Sequence, residues 1–258
     1  KEMTTEIKQF KKDNLSIRIF RDETSAGEGS AEFVAHHLND AIQSKGHANL
    51  ILATGASQFA FIEAIKMLPI DWSKITVFHL DEYKGLPETH PASFRKYLKE
   101  RILDEVKPFQ VHYINGDAKE IDREVARYEE LLKAVTVDVA CIGIGENGHI
   151  AFNDPEVADF NDPKLVKIVQ LDEISRRQQL GEGWFSTLEE VPGEAISLTI
   201  PAITRCEVIS CMVPDKRKAN AVYNTLNEEI STSCPATILR RHLHTVLFLD
   251  RDSASQLQ

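Results

Sequence analysis

The sequence predicts an α/β protein in which helices cover both faces of one doubly wound, mostly parallel sheet. Short apolar segments alternate along the chain with longer segments whose apolar residues recur at helical spacing. The apolar segments are nearly continuous, as expected of parallel strands that are buried on both faces. No internal repeat and no linker rich in Gly, Ser or Pro interrupts this pattern. We therefore expect one Rossmann-like domain over residues 1–258.

Six apolar segments predict the strands of the sheet. Each is rich in Ile, Val, Leu or Phe, which favour a pleated and buried surface. In chain order the predicted strands span 16–20, 49–53, 75–80, 137–144, 207–213 and 245–249.

Five amphipathic segments between these strands predict helices. In the first segment Ala31, Val34 and Leu38 fall on one helical face, and Gly46 supplies the stop. Pro69 closes the second segment. The predicted helices span 25–45, 59–68, 93–103, 118–135 and 216–226.

The composition excludes several classes of protein. With 42% hydrophobic and 27% charged residues, the chain can bury a substantial core, which argues against intrinsic disorder. No apolar run approaches the roughly 18 residues of a membrane span. A formal net charge of −10 lacks the basic footprint of a nucleic-acid binder. We expect neither a nucleic acid nor a membrane as a partner.

The amino-terminal residues and the cysteines indicate a cytoplasmic protein. Residues 1–14 are polar and charged, without the apolar core of a signal peptide, and we expect them to be flexible. The four cysteines form no C-x-x-C pair and have no histidine partner at zinc-site spacing. A reducing compartment with neither a structural disulfide nor a bound metal is therefore expected.

The first candidate site follows the predicted strand 49–53. Ligands of doubly wound sheets bind outside the carboxyl ends of the strands, so the residues after each apolar segment are the ones to inspect. Here the turn Thr54-Gly55-Ala56-Ser57 leads from a strand into a helix. Its free N–H groups and two hydroxyls could hold a phosphate. A helix cap without a ligand is the alternative.

The second candidate is the pair Asp81-Glu82, directly after the strand 75–80. Two carboxylates at the mouth of a buried strand are costly unless they are solvated, paired or functional. A carboxylate at this position could act as a general base on a carbon acid or a sugar hydroxyl. A helix cap or a loop anchor is the alternative.

The third candidate lies in the glycine-rich segment 143–155. Its glycines superficially fit a dinucleotide fingerprint, but the first strand and turn of the chain lack that motif, so we expect no nicotinamide cofactor. The informative residue is His149, which lies between Asn147 and Asp154. An imidazole with oxygen acceptors nearby can be fixed in one tautomer and shuttle protons near neutral pH.

These segments resemble a known family. The blocks LATG (52–55), FHLDEYKGLPETHPASF (78–94), GIGENGHIAFNDP (143–155) and SLTIPAI (197–203), with Lys218-Ala219 opening a helix, resemble the glucosamine-6-phosphate deaminase (isomerase) family. That family belongs to a wider group that includes 6-phosphogluconolactonases. The blocks run in family order across most of the chain.

The resemblance implies an aldose–ketose isomerisation coupled to deamination of glucosamine 6-phosphate, which yields fructose 6-phosphate and ammonia. By motif position, Asp81 would move the proton between C2 and C1, and His149 would open the sugar ring as an acid–base group. Asp154 stands where the family usually has Glu and would orient His149. Asn147 stands where Asp is frequent, so this partner of His149 is neutral. No cofactor and no metal are implied.

The resemblance also implies where the substrate is held. Phosphate would contact the turn 54–57 and Lys218, with Glu82 among the substrate-binding residues. The segment 156–192 corresponds to the family's mobile lid but does not match it closely; Arg177 (or Arg176) is the candidate for its phosphate-contacting arginine. The chain would act on a small-molecule amino-sugar phosphate as a monomer or a small homo-oligomer.

Two other functions remain open at this point. A 6-phosphogluconolactonase would share SLTIPAI and the lysine-led helix, although lactonases usually continue differently after Gly148-His149 and carry Arg where this chain has Tyr83. A catalytically weak sugar-phosphate binding protein is the second alternative, because Asn147 and the divergent lid depart from the family pattern.

Overall fold

The architecture is an eight-stranded sheet with a smaller three-stranded sheet beside it, in a computed structural model that describes residues 5–257. The strands are β1 Glu6–Lys12, β2 Leu15–Phe20, β3 Ala48–Leu52, β4 Ile75–His79, β5 Asp81–Tyr83, β6 Gln110–Val111, β7 Val139–Ile142, β8 Val166–Gln170, β9 Glu194–Leu198, β10 Val208–Val213 and β11 Thr245–Asp250. The helices are α1 Glu23–Lys45, α2 Phe59–Ile65, α3 Phe94–Leu98, α4 Asp104–Val106, α5 Ile121–Lys133, α6 Glu173–Gly181, α7 Ile200–Thr204 and α8 Ala219–Asn227.

The large sheet is the predicted doubly wound sheet. Its strand order is β1-β2-β11-β10-β7-β3-β4-β6, and every neighbouring pair is parallel except β1 with β2. The six predicted strands correspond to β2, β3, β4, β7, β10 and β11. The prediction of a mostly parallel, Rossmann-like sheet is confirmed.

Two hydrophobic cores cover the two faces of this sheet. Successive residues of a strand point to opposite faces. In β3, Leu50 and Leu52 accordingly join the core that includes α1 and α2, whereas Ile51 joins the core that includes α5 and α8. Burial on both faces explains why these strands are continuous apolar segments rather than alternating ones.

Strand β1 lies within the segment 1–14 that the sequence analysis expects to be flexible. It pairs antiparallel with β2 through a turn at Asp13, where φ is 52°. Only Phe10 packs against the core, and three of its neighbours are lysines. Lysines on an edge strand discourage pairing with other chains, and they also make this strand resemble a polar tail in the sequence. Residues 1–4 lie outside the described part of the chain.

The small antiparallel sheet, in the order β5-β9-β8, is absent from the sequence analysis. Asp81, Glu82 and Tyr83, for which no strand was predicted, form β5 and pair with β9 in the register Asp81↔Ser197. Beneath this sheet Tyr83, Phe94 and Phe152 form part of a third core. Strand β8 and helix α6 both belong to the segment 156–192, the expected lid.

The predicted helices are present with altered ends. Helix α1 begins with Asp22 accepting from the Ser25 N–H and ends at Gly46, where φ is 80°. The segment 93–103 starts as α3 and continues as the π-helical turn Lys99–Leu103, and the segment 216–226 starts as the 3-10 turn Lys216–Lys218 before α8. Helix α2 stops at Ile65, before the predicted end at residue 68.

Candidate active site

A cleft opens at the carboxyl ends of β3, β4 and β7. Six residues predicted for catalysis or substrate binding line it together: Thr54, Gly55, Ser57, Asp81, His149 and Lys218. Residues from the strand ends of a parallel sheet converge there because the strands run in one direction. Helix α6 closes one side of the cleft with Gln178, Gln179 and, just beyond its end, Glu182.

The turn after β3 is fixed by contacts from outside it. Gly55 has φ of 97°, a conformation that a residue with Cβ adopts only with strain. Its carbonyl oxygen accepts a hydrogen bond from the Tyr97 hydroxyl at 2.6 Å. Gln58 donates through Nε2 to both Ser57 Oγ and the Met212 carbonyl oxygen. The turn is therefore held in one shape without using the Ala56 N–H, which donates to Glu182 Oε1 at 3.3 Å.

Lys218 brings a cation to the same end of the cleft. Its side chain is almost fully buried, and Nζ donates to the Ile144 carbonyl oxygen at 2.7 Å. Burial lowers the pKa of the amine, and the nearby Glu182 carboxylate opposes that effect. A lysine held by one carbonyl keeps two further donor positions for an anion.

Asp81 presents a carboxylate to the cleft without a hydrogen-bond donor from the described residues. The residue is 8% exposed, at the start of β5. Burial, and then the charge of Glu82, raise the pKa of this carboxyl group well above its usual value. A raised pKa makes the ionised carboxylate a stronger base, which suits a group that takes up a proton and returns it.

His149 is held by three polar side chains around one ring nitrogen. Its Nδ1 lies 2.6 Å from Asn147 Oδ1, 3.0 Å from Ser175 Oγ and 3.1 Å from Asp154 Oδ1. Gly145 makes room for the ring, because a Cβ at this position would lie 2.0 Å from His149 Cε1. The glycine-rich segment thus serves the packing of the histidine.

The hydrogen bonds determine the tautomer of His149. Asn147 Oδ1 also accepts from the His149 backbone N–H at 3.0 Å, and a backbone N–H can only donate. The atom of Asn147 that faces Nδ1 is therefore the oxygen, and Nδ1 carries the proton. In the neutral ring Nε2 is then unprotonated, and none of the described residues hydrogen-bonds to it. This nitrogen is available to accept a proton from a ligand.

The first turn of α6 completes the surroundings of His149. Asn147 donates through Nδ2 to Asp154 Oδ1 at 3.2 Å and to Asp172 Oδ2 at 2.8 Å. Asp172 also caps α6 by accepting from the Ser175 N–H, and the Ser175 hydroxyl donates to Asp154. Although burial acts to raise it, the pKa of Asp154 is lowered by hydrogen bonds from His149, Asp172 and Ser175 and by the charge of His149. Asp154 is an anion beside the ring and does not line the cleft.

Two of the residues predicted to bind substrate are directed away from the cleft. Glu82 is fully buried on the opposite side of β5, where its carboxylate accepts from Ser93 Oγ at 2.9 Å and from Arg95 Nε at 3.1 Å. Arg177 lies on the exposed side of α6 and pairs with Glu173. The alternative arginine, Arg176, donates to the carbonyl oxygens of Leu188 and Val191. The lid therefore directs no arginine into the cleft in this structure.

Three polar cleft residues were not predicted from the sequence, and all three belong to the segment 156–192. Gln178 accepts through Oε1 from the Glu146 N–H at 2.9 Å. Gln179 Oε1 and Glu182 Oε2 are buried with no hydrogen-bond partner. The only sequence signal for these residues is Asp172 followed by Ser175, which marks the start of a helix but not the direction in which the helix faces.

Among residues 5–257, no group of three His, Cys, Asp or Glu side chains is arranged to bind a metal ion. All four cysteines are buried as free thiols. Within the same described residues, no helix combines the length and the hydrophobicity that crossing a bilayer requires.

Comparison of the sequence with known proteins gives consistent matches. Residues 21–248 match the family model described as glucosamine-6-phosphate isomerases/6-phosphogluconolactonase. A glucosamine-6-phosphate deaminase from Exiguobacterium sp. is 37% identical over 227 residues, which cover 88% of this chain and 87% of that protein. A glucosamine-6-phosphate deaminase from Bacillus cytotoxicus is 36% identical over 219 residues, covering 84% and 81%.

Solved structures with the same fold include both enzyme types. A monomeric glucosamine-6-phosphate deaminase superposes with a TM-score of 0.84 at 29% identity, covering 93% of this chain and 98% of that one. A 6-phosphogluconolactonase from Thermotoga maritima superposes with a TM-score of 0.74 at 21% identity, covering 92% and 99%. At that identity the second match shows only a shared fold.

Proposed function

Because the chain belongs to the family of glucosamine-6-phosphate isomerases and 6-phosphogluconolactonases, we propose that it converts glucosamine 6-phosphate and water to fructose 6-phosphate and ammonium. The observation that carries the proposal is the placement of the Asp81 carboxylate and the His149 ring in one cleft with Lys218 and the turn after β3. The sequence relatives at 36–37% identity are named deaminases, whereas the lactonase match supports the fold alone.

His149 is proposed to open the sugar ring. Its unprotonated Nε2 would accept the proton of the C1 hydroxyl and deliver a proton to the ring oxygen, so that the ring C1–O bond breaks and C1 becomes an aldehyde. Asp154 would stabilise the imidazolium that forms between these steps, since its carboxylate lies 3.1 Å from Nδ1. No cofactor is needed for either step.

Asp81 is proposed to carry out the isomerisation. Its carboxylate would remove the proton from C2, which leaves an enol-type intermediate, and would return a proton to C1. Carbon C2 then carries an iminium group. Water adds at C2, the C2–N bond breaks to release ammonium, and C2 becomes the ketone of fructose 6-phosphate. The aldehyde acidifies the C2 proton, and the raised pKa of Asp81 brings the acid and the base closer in strength.

The phosphate is proposed to bind at the turn after β3, beside Lys218. There the Ala56 N–H, the hydroxyls of Thr54 and Ser57 and the Lys218 amine would donate to its oxygens. We also propose that the protein is cytoplasmic and acts as a monomer or a small homo-oligomer.

The neutral partner of His149 provides a test of the charge arrangement. We expect Asn147→Asp to lower the free energy of unfolding by about 2–3 kcal/mol at neutral pH, because it replaces two donated hydrogen bonds by repulsion from Asp154 and Asp172. The double variant Asn147→Asp/Asp172→Asn should recover much of this loss. Urea unfolding of the three proteins measures both effects. If the two substitutions lowered the free energy of unfolding additively, the placement of Asn147 as a donor to both Asp154 and Asp172 would be contradicted.

A comparison of two substrates tests the proposed reaction. We expect purified protein to release ammonium and fructose 6-phosphate in equal amounts from glucosamine 6-phosphate and to leave 6-phosphogluconolactone at its uncatalysed rate of hydrolysis. Accelerated lactone hydrolysis without ammonium release would assign the chain to the lactonase branch. Binding of both compounds without turnover would make it a sugar-phosphate binding protein.

A further inference from the structure

The end of α6 is docked against the turn after β3. Trp184, three residues past the helix, packs against Phe59 and Tyr97 with ring centroids 6.4 and 6.0 Å apart. Tyr97 in turn donates its hydroxyl proton to the Gly55 carbonyl oxygen. These aromatic contacts place Glu182 directly over the turn.

Glu182 occupies donors that an anionic ligand of this cleft would use. Its Oε1 accepts from the Ala56 N–H at 3.3 Å, and it lines the cleft together with Ser57 and Lys218. Its other oxygen, Oε2, is buried and has no hydrogen-bond partner. A carboxylate with one long hydrogen bond and one unsatisfied oxygen is weakly held, because a buried acceptor without a donor is unfavourable.

A phosphate group fits the same place better than the carboxylate does. It offers three acceptor oxygens to the Ala56 N–H, the neighbouring hydroxyls and Lys218, whereas Glu182 reaches only one of these donors. The two anions repel each other, so they cannot share the turn. Gly181 and Gly183 flank Glu182, and Gly183 has φ of 86°, so the backbone on either side carries no Cβ that would hinder rotation of this segment.

We propose that Glu182 is an internal competitor that occupies the anion position of the cleft until the phosphate of a sugar phosphate displaces it. The inference rests on the proposed function, and it makes Glu182 a residue that sets the affinity of the cleft for anions. A neutral sugar that displaced the carboxylate would leave the Ala56 N–H and Lys218 without an anion, whereas a sugar phosphate replaces one anion by another. A neutral sugar is therefore expected to bind without displacing Glu182, so its Kd should not depend on the Glu182 charge.

The competition predicts that removal of the Glu182 charge tightens anion binding. If the carboxylate occupies the turn in about nine-tenths of free molecules, the apparent Kd is about tenfold weaker than the intrinsic one. We expect Glu182→Gln and Glu182→Ala to lower the Kd of fructose 6-phosphate and of inorganic phosphate by about tenfold. Alanine removes the acceptor as well as the charge, so it covers the case in which glutamine keeps the hydrogen bond to Ala56.

The matched control is Glu189→Gln, which removes the same charge from an exposed position of the same lid. Glu189→Gln should leave both Kd values within about twofold of the wild-type values. Fructose should bind all three variants about as tightly as it binds the wild type. Isothermal titration calorimetry without ammonium measures these constants while no turnover occurs. Equal or weaker binding of the two anions by both Glu182 variants would overturn the inference.

This result is separable from the proposed reaction. A protein whose Glu182 variants bind fructose 6-phosphate more tightly, but which releases no ammonium from glucosamine 6-phosphate, would retain the internal competitor and lose the deaminase assignment. Ammonium release with unchanged anion binding in the variants would support the deaminase assignment and overturn the internal competitor.

Discussion

Replacement of Asp81 by asparagine is expected to lower kcat for glucosamine 6-phosphate by at least about 10²–10⁴-fold, the usual contribution of a positioned acid–base group. Among the described residues, no second carboxylate lines the cleft next to Asp81 except Glu182, which lies at the anion end. The amide cannot take up the C2 proton, so the effect falls on kcat rather than on KM. Steady-state kinetics of ammonium release measure it.

The same variant should not be less stable than the wild type at neutral pH. The folded-state pKa of Asp81 is raised, so its protonated form is favoured in the folded protein. Its contribution to stability is therefore fully present below the unfolded-state pKa and is lost as the pH rises towards the folded-state pKa. Asparagine does not ionise, so the variant does not lose this stability as the pH rises. Thermal unfolding at pH 4 and pH 8 tests the sign, and a variant that unfolds more easily only at pH 8 would contradict it.

Replacement of Glu82 by glutamine is expected to have the opposite effect, with a large loss of stability. Its carboxylate accepts from Ser93 Oγ, from the Phe94 and Arg95 N–H groups and from Arg95 Nε, all of them buried. Breaking such a buried pair costs about 3–5 kcal/mol, because the buried guanidinium then keeps only the more exposed Asp117 as a counter-charge. Urea unfolding measures the loss.

The control for this prediction is Glu88→Gln, which breaks an exposed pair with Lys99. It should change the free energy of unfolding by no more than about 1 kcal/mol. If Glu82→Gln were no more destabilising than Glu88→Gln, the buried contacts of Glu82 with Ser93 and Arg95 would not stabilise the fold. The adjacent carboxylates of β5 would then both remain candidates for the reaction.

Neighbouring residues in the motif thus have different roles, and the sequence alone does not separate them. Asp81 and Glu82 are both acidic and both follow an apolar segment, and no strand was predicted beyond residue 80. The structure makes it a strand, in which adjacent side chains point to opposite sides. Asp81 therefore faces the cleft and Glu82 faces Arg95. The missing information was the pairing of β5 with β9, more than a hundred residues away.

The parts of the fold that were predicted are those with a strong local pattern. Continuous apolar segments predict β3, β7 and β10, because their two faces are buried. The polar edge strand β1 and the short strand β5 lack that pattern. The carboxyl ends of the strands then predict Asp81 and His149 as site residues, and in the structure both side chains line one cleft.

The lid was the least predictable part of the site. Its helix has acidic, basic and amide residues on several sides, so the sequence offers Arg177 as readily as Glu182. Which side faces the cleft depends on the docking of Trp184 against Phe59 and Tyr97. Contacts of this kind join distant parts of the chain and leave no periodic signal.

The most direct test of the proposed function is one NMR time course of glucosamine 6-phosphate with the wild-type protein in deuterated water. We predict loss of the substrate signals, appearance of fructose 6-phosphate and ammonium in equal amounts, and deuterium at C1 of the product, since the proton on Asp81 can exchange with solvent before it returns to C1. The Asp81→Asn protein should leave the spectrum unchanged over the same period. Persistence of the substrate signals with the wild-type protein, under conditions in which it binds glucosamine 6-phosphate, would contradict the account.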